Sequence, residues 1–263
     1  MTDKWKNIQG ECSHKGFQDL FENKCAFIEI NDFLTDDQCN KLVLALRKLG
    51  LYEYKYDFKT EEAPQAAHLF ATHYLYENEP LKKYFVDAEK SYSDFDHMVK
   101  EIAFNPSKMV FDFLASKFEI PVNIAEEKGK KYFHSIAREL NHSVLLHPDF
   151  APFQALGRVI SQIDSQYAWN LYLTNPKEGG ETTVYNRPWN GAEDDAKFST
   201  KTYGYNEKVV ENCESASFPV SKGKLVFFNS RNFHKVSVTT KSRISLGGHI
   251  GWNKTTKKLL AWS

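Results

Sequence analysis

His147 and Asp149 stand two apart in the run Leu145-Leu146-His147-Pro148-Asp149. Residues two apart on an extended segment leave the same face, so one imidazole and one carboxylate can converge on a single ion. A second imidazole is available from Phe233-His234-Lys235-Val236, in a later β-rich run. Two histidines and one carboxylate on one side of an ion leave three adjacent positions open. That ligand set suits Fe(II), with a keto acid and dioxygen (O2) in the open positions. The chain has nine histidines, so an HxD with a distant His is a weak signal until its surroundings are read.

The elements that must position these residues fall into two regimes. Residues 1–125 are mostly helical in pattern after one short strand at Phe27, Ile28 and Ile30. Thr35 with Gln38 forms a capping box, Leu42, Val43, Leu46 and Leu49 recur at helical spacing, and Gly50 suits the C′ position. Further helices are expected after Pro80 and around Met109–Phe118, with Pro121 closing the last. From residue 126 to 263 the period shortens to strands at 144–146, 168–173, 182–185, 224–228, 234–238 and 243–250. Gly, Asn, Pro and Asp turn signals separate them, Gly179-Gly180 among them. Short strands without long intervening helices predict an antiparallel jelly roll. The expected fold is α+β: a single domain over 1–263, with an N-terminal helical layer buttressing a double-stranded β-helix, cupin-like core.

The motifs around the ligand candidates follow a fixed order. Tyr172-Leu173, Gly179-Gly180-Glu181-Thr182 and Lys222-Gly223-Lys224-Leu225-Val226-Phe227-Phe228 precede His234, and Arg243-Ile244-Ser245 follows it. This order resembles the prolyl-hydroxylase-type 2-oxoglutarate oxygenases. Residues 178–189, Ser242–Gly248 and the closing Ala261-Trp262-Ser263 are similar to the small freestanding halogenases of that superfamily, which modify alkaloids or free amino acids without a carrier protein. The resemblance covers most of the chain. It implies Fe(II), 2-oxoglutarate as co-substrate and O2, with His147, Asp149 and His234 as catalytic metal ligands. In one respect the chain departs from those halogenases: they carry Gly where Asp149 stands, and the lost carboxylate leaves room for chloride. With the carboxylate present, hydroxylation, desaturation or oxidative ring closure is expected instead.

The resemblance also assigns supporting roles. Arg243 is expected to hold the distal carboxylate of 2-oxoglutarate through its planar, permanently charged guanidinium. Ser245, on the same strand face, and Tyr172 are candidates for the same carboxylate, and Asn170 shares the face of Tyr172. A strand serine and a satisfied core tyrosine are the plain alternatives. Arg138 matches an arginine of the freestanding halogenases and is a substrate-binding candidate, with a structural salt bridge as the alternative. His68 and His73, in the segment from Ala66 to Leu75, are candidates for a substrate-covering element. Trp252 is a candidate for the substrate wall, with packing as the competing role.

Composition bounds the rest. Lys plus Arg and Asp plus Glu are equal at 34 each, which argues against a polyanion-binding surface. No apolar run is long enough to span a membrane, and the first residues lack a signal-peptide core, so a cytoplasmic location is expected. Cys12, Cys25, Cys39 and Cys213 show no paired spacing. No GxGxxG, GxSxG or HExxH motif is present. The expected substrate is a small free molecule, an amino acid or specialised metabolite, met without nucleic acid, membrane or carrier protein by a monomer or homodimer. Two rival readings remain: a cupin-like metal enzyme that does not use 2-oxoglutarate, and a binding module on the same barrel.

Overall fold

The computed structural model describes residues 4–51, 67–76, 81–176, 178–239 and 242–263. Ala66 and Pro80, expected to open the covering segment and a helix, lie outside them. The chain begins β1 (Asn7–Gln9), α1 (His14–Phe21), β2 (Cys25–Ile30), α2 (Asp36–Lys48) and β3 (Ala67–Leu69). Two longer helices follow, α3 (Leu81–Ile102) and α4 (Pro106–Phe118), then β4 (Val122–Ile124) and a small hairpin of β5 (Glu126–Glu127) and β6 (Lys130–Lys131). The second half holds β7 (Ile136–Leu140), β8 (Val144–His147), α5 (Ala151–Gln154), β9 (Ser165–Tyr172) and β10 (Thr182–Pro188). It ends with α6 (Ala192–Phe198), β11 (Ser215–Phe218), β12 (Leu225–Asn229), β13 (Asn232–Val236), β14 (Arg243–Asn253) and β15 (Lys258–Trp262).

Two sheets form the barrel. The larger contains the path β1-β2-β12-β9-β14-β15-β4, with β7 pairing both β14 and β3; the smaller runs β11-β10-β13-β8. Successive strands β7 and β8, then β9 and β10, then β12 and β13, thus alternate between sheets. That alternation is the winding of a double-stranded β-helix. β14 is long enough to pair β7 along its first half and β15 along its second, while β9 lies on its other edge.

Local sequence explains the helical layer. Thr35 accepts from the Gln38 amide at 3.2 Å and Gln38 Oε1 accepts from the Thr35 amide at 2.9 Å, so α2 starts on the expected capping box. Asn105 caps α4 and Pro106 opens it, where a missing N–H costs nothing. The apolar faces of these helices cover the outer face of the large sheet, burying Trp169, Leu171, Phe227, Ile244, Leu246 and Ile250. Phe17 meets Phe113, Phe118, Tyr167 and Phe227 at ring-centroid separations of 5.2 to 6.4 Å. Such contacts add about 0.5–1.5 kcal/mol each beyond burial.

The division at residue 125 is not a structural boundary. β2, whose first four residues are buried, runs antiparallel to β12 inside the large sheet, and β1, β3 and β4 join it too. An apolar strand buried on both faces needs ladder partners on both edges, so it cannot stay in a helical layer.

The inner faces of the sheets meet in a smaller core of Ala168, Tyr172, Val184, Phe218, Val226 and Phe228. At one end this apolar filling gives way to polar residues, and there a cavity of about 550 Å3 opens.

Candidate metal centre

His147 ends β8 and pairs directly with His234 of β13, so the ladder brings both imidazoles to one inner face. Asp149 follows β8 by two residues. Its backbone N–H donates to Ser230 O at 2.8 Å, and its carbonyl accepts from Ser230 Oγ at 3.0 Å and Gln166 Nε2 at 3.1 Å. These bonds hold the carboxylate Oδ2 at 3.7 Å from His147 Nε2 and 3.6 Å from His234 Nε2. One donor atom from each of the three residues lies within 4.8 Å of the others, the only such group among the described residues.

The hydrogen bonds select the tautomer that metal binding needs. Nδ1 of His147 donates to Leu145 O at 2.7 Å and Nδ1 of His234 to Asn232 O at 2.9 Å. With the protons on Nδ1, both Nε2 lone pairs face Asp149. Burial, and then His234, push the His147 pKa down to about 4. Burial opposes ionisation of Asp149, but the imidazoles of His147 and His234 outweigh it and hold the carboxyl below the usual carboxylate range. Two imidazoles with Nδ1 already bonded to backbone carbonyls and one carboxylate make up the donors of a 2-His-1-carboxylate ligand set, so the residues fit Fe(II).

Arg243 stands on β14, buried at 3% exposure. Its Nη2 donates to the Tyr172 hydroxyl at 2.9 Å and reaches Thr182 Oγ1 at 3.4 Å. Nε and Nη1 are buried without a partner. Leaving such donors unmet is costly, and an incoming carboxylate could accept from them, so the residues also fit the distal end of 2-oxoglutarate.

The inner face of β14 continues in steps of two through Ser245, Gly247 and His249. Ser245, Asn170 and Arg138 all line the cavity with Arg243 and the three ligand candidates. Gly247 is required there: a Cβ would stand 2.7 Å from Asn170 Oδ1 and 2.7 Å from the Trp169 carbonyl. Tyr172, fully buried, meets Arg243 from β9. Gly179 and Gly180 both have positive φ, at 73° and 79°, and a Cβ on Gly179 would meet Val238 O at 1.8 Å. The tight turn expected there therefore needs glycine.

Two substrate candidates stand elsewhere. His73 is fully buried behind the cavity wall, its ring 3.9 Å from that of Tyr74 and its N–H bonded to Ser263 O at 2.9 Å. It begins a 3-10 turn, His73–Tyr76, in which neighbouring side chains diverge by about 120°, so Tyr74 and Leu75 line the cavity instead. Trp252 packs against the helix-side core. Counting from His249 in steps of two places it on the outer face of β14. His68 lines the cavity from β3.

Sequence reasoning did not single out His249, Gln166, Thr182 as an Arg243 partner, or Tyr203. Stepping by twos from Arg243 would have reached His249. Its Nε2 is 3.2 Å from the Tyr74 hydroxyl and its Nδ1 3.2 Å from Gln166 Nε2. Tyr203 sits in a loop with no periodicity, its ring 5.9 Å from that of His147.

Comparison with known proteins gives the family and the fold. The family described as carrier-protein-independent halogenase WelO5 matches residues 8–263. Leucinostatins biosynthesis cluster protein S of Purpureocillium lilacinum is 35% identical over 201 residues, 72% of this chain and 82% of that protein. An L-gamma-glutamyl-L-propargylglycine hydroxylase of Streptantibioticus cattleyicolor is 26% identical over 186 residues, 68% of each chain. Among solved structures, an N-substituted L-amino acid dioxygenase of Burkholderia ambifaria superposes with TM-score 0.60 at 12% identity, covering 95% of this chain and 91% of its own. That likeness shows the shared double-stranded β-helix fold.

Proposed function

The chain belongs to the family of carrier-protein-independent halogenases represented by WelO5, and on that premise we propose that this Fe(II)- and 2-oxoglutarate-dependent oxygenase hydroxylates a small free molecule rather than halogenating it. The observation that carries this reading is the Asp149 carboxylate, 3.6 to 3.7 Å from both imidazoles. A carboxylate so placed takes the coordination position that halide would need. The hydroxylase relative in Streptantibioticus cattleyicolor, which acts on an amino-acid derivative, supports the choice of reaction and of an amino acid or similar metabolite as substrate.

His147, Asp149 and His234 would hold the iron, and Arg243 with Tyr172 would hold the far carboxylate of the co-substrate. Bound together, Fe(II) and 2-oxoglutarate supply the oxidising power: the co-substrate loses carbon dioxide and becomes succinate as O2 divides its atoms between it and the substrate. The chain's own task is positioning. The Nδ1 bonds of His147 and His234 fix both rings, and Gln166 and Ser230 fix the backbone of Asp149. Arg243 would orient the co-substrate through its buried, unpartnered donors. No side-chain base is required, and no acid besides Asp149 lines the cavity among the described residues. Desaturation or ring closure would use the same groups. A monomer or homodimer in the cytoplasm, acting without carrier protein, is the setting this reading carries; among the described residues no helix is long and apolar enough to cross a membrane.

Anaerobic addition of Fe(II) and 2-oxoglutarate tests the assignment. A weak visible charge-transfer band is expected, lost in His234→Ala. With labelled dioxygen and candidate amino acids, the product should carry one labelled oxygen and, in chloride buffer, no chlorine. An iron-loaded protein without the band, or a chlorinated product, would overturn it.

A further inference from the structure

Arg138 is a cation of the cavity wall that neither the metal site nor the co-substrate anchor uses. It stands on β7, directly across from His68 of β3 and Ser245 of β14. It lines the same cavity as Asp149, half-buried, and no hydrogen bond or ion pair engages its guanidinium among the described residues. The next residue along, Glu139, faces the opposite side of the strand, where Arg47 and Ser242 occupy it, so it cannot neutralise Arg138. Burial lowers the Arg138 pKa, but an arginine remains charged at any working pH. Asp149 and Arg243 are the charged groups that act on it, and both belong to the metal and co-substrate sites.

Charge bookkeeping for the loaded site leaves Arg138 over. The two positive charges of ferrous iron and the one on Arg243 match the Asp149 carboxylate and the two carboxylates of 2-oxoglutarate. His249, whose pKa burial pushes down to about 4, adds none at neutral pH. Glu181, the acid that acts on Arg243, accepts from the Ser237 hydroxyl and does not line the cavity. A half-buried guanidinium without a counter-ion is an expensive arrangement unless a bound molecule brings one.

We propose that the substrate carries a carboxylate and that Arg138 binds it. This deepens the oxygenase reading above and rests on it. A carboxylate supplies one negative charge and matches the guanidinium fork; a phosphate monoester would bring close to two and overfill the site. Ile136 and Leu140, on the same face of β7, with Val144 and Val236 from the smaller sheet, would cover an uncharged remainder of the molecule.

The test uses full-length protein loaded anaerobically with Fe(II) and 2-oxoglutarate, titrated with free L-amino acids and N-acetyl-L-amino acids and with the carboxamide of each. Binding is read from perturbation of the charge-transfer band, without turnover. Acids should perturb the band and their carboxamides should not. Arg138→Gln should weaken acid binding roughly ten- to hundredfold while leaving 2-oxoglutarate affinity and the band unchanged. Arg138→Lys, which keeps the charge without the fork, should recover part of that loss. Carboxamides binding as well as acids, no acid binding at millimolar concentration, or an Arg138→Gln variant that instead loses 2-oxoglutarate, would each overturn the proposal. Failure of the band to form in the unmodified protein would sink the oxygenase chemistry itself, and this inference with it.

Discussion

His147 faces His234 across the β8–β13 ladder, their ring centroids 4.3 Å apart. The sheet therefore fixes two ligands by hydrogen-bonded register, whereas Asp149 beyond the strand end depends on side chains for its position. Gln166 is the main one, donating to Asp149 O and Ser230 Oγ and accepting from Ala151 N at 2.9 Å. Gln166→Leu should lower iron affinity about 10–100-fold, the usual cost of losing an outer-shell partner. Titration of the charge-transfer band with Fe(II) measures it; an unchanged iron affinity would show that the loop holds Asp149 unaided.

Asp149→Gly removes the carboxylate that separates this chain from the halogenases it resembles. Most hydroxylation should be lost. Chlorinated product in chloride buffer, detected by mass and isotope pattern, would show that a vacant position alone admits halide. Loss of hydroxylation with no chlorination would mean that the cavity must also bind halide.

Arg243→Gln keeps hydrogen-bonding capacity but removes the charge and the fork. A hydrogen bond to a charged group contributes about 1.5–3 kcal/mol, so 2-oxoglutarate binding should weaken about ten- to hundredfold. Tyr172→Phe should cost less, since it removes one neutral partner of Nη2. The ordering, read from co-substrate titrations, tests the anchor; equal effects would put the two residues on the same footing.

Gly247→Ala forces a Cβ to 2.7 Å from a backbone carbonyl, which cannot swing aside as a side chain can. The cost should be about 1–3 kcal/mol of stability, with Asn170 displaced into the cavity. A thermal melt reads the first effect and binding of the substrate series the second.

Acid should destabilise the metal-free protein. Burial is the first cause of depressed pKa values at His73 and His134, both about 3, and at His147 and His249, both about 4. Because the unfolded chain protonates these imidazoles first, near the ordinary histidine value of 6.5, stability is complete above that pH and is lost as pH falls from 6.5 towards 3 to 4. Each contributes up to about 1.4 kcal/mol per pH unit in that window. His134 lies among Phe95, Phe111 and Phe133, away from the metal ligands. His134→Phe should flatten the slope between pH 5 and 6.5 by one proton while leaving iron binding intact.

Much of the site was legible because strand periodicity and ligand spacing are local. The HxD pair, the strand carrying His234 and the face shared by Arg243 and Ser245 all follow from steps of two along extended segments. The capping box of α2 and the glycine turn at Gly179-Gly180 were equally local. Other placements depended on partners. Trp252 and His73 were assigned by neighbourhood in sequence, but strand parity turns one outward and a 3-10 turn sends the other behind Tyr74.

By itself, then, the sequence determined the ligand types, their order and the strand-rich core that carries them, since these need only spacing and side-chain chemistry. Tertiary structure decided which distant groups converge. It set His147 opposite His234, drew β2 out of the helical region into the sheet, and left Arg138 in the cavity with no ion pair among the described residues. Pairing register and charge balance arise between segments far apart in the chain, and no local pattern encodes them.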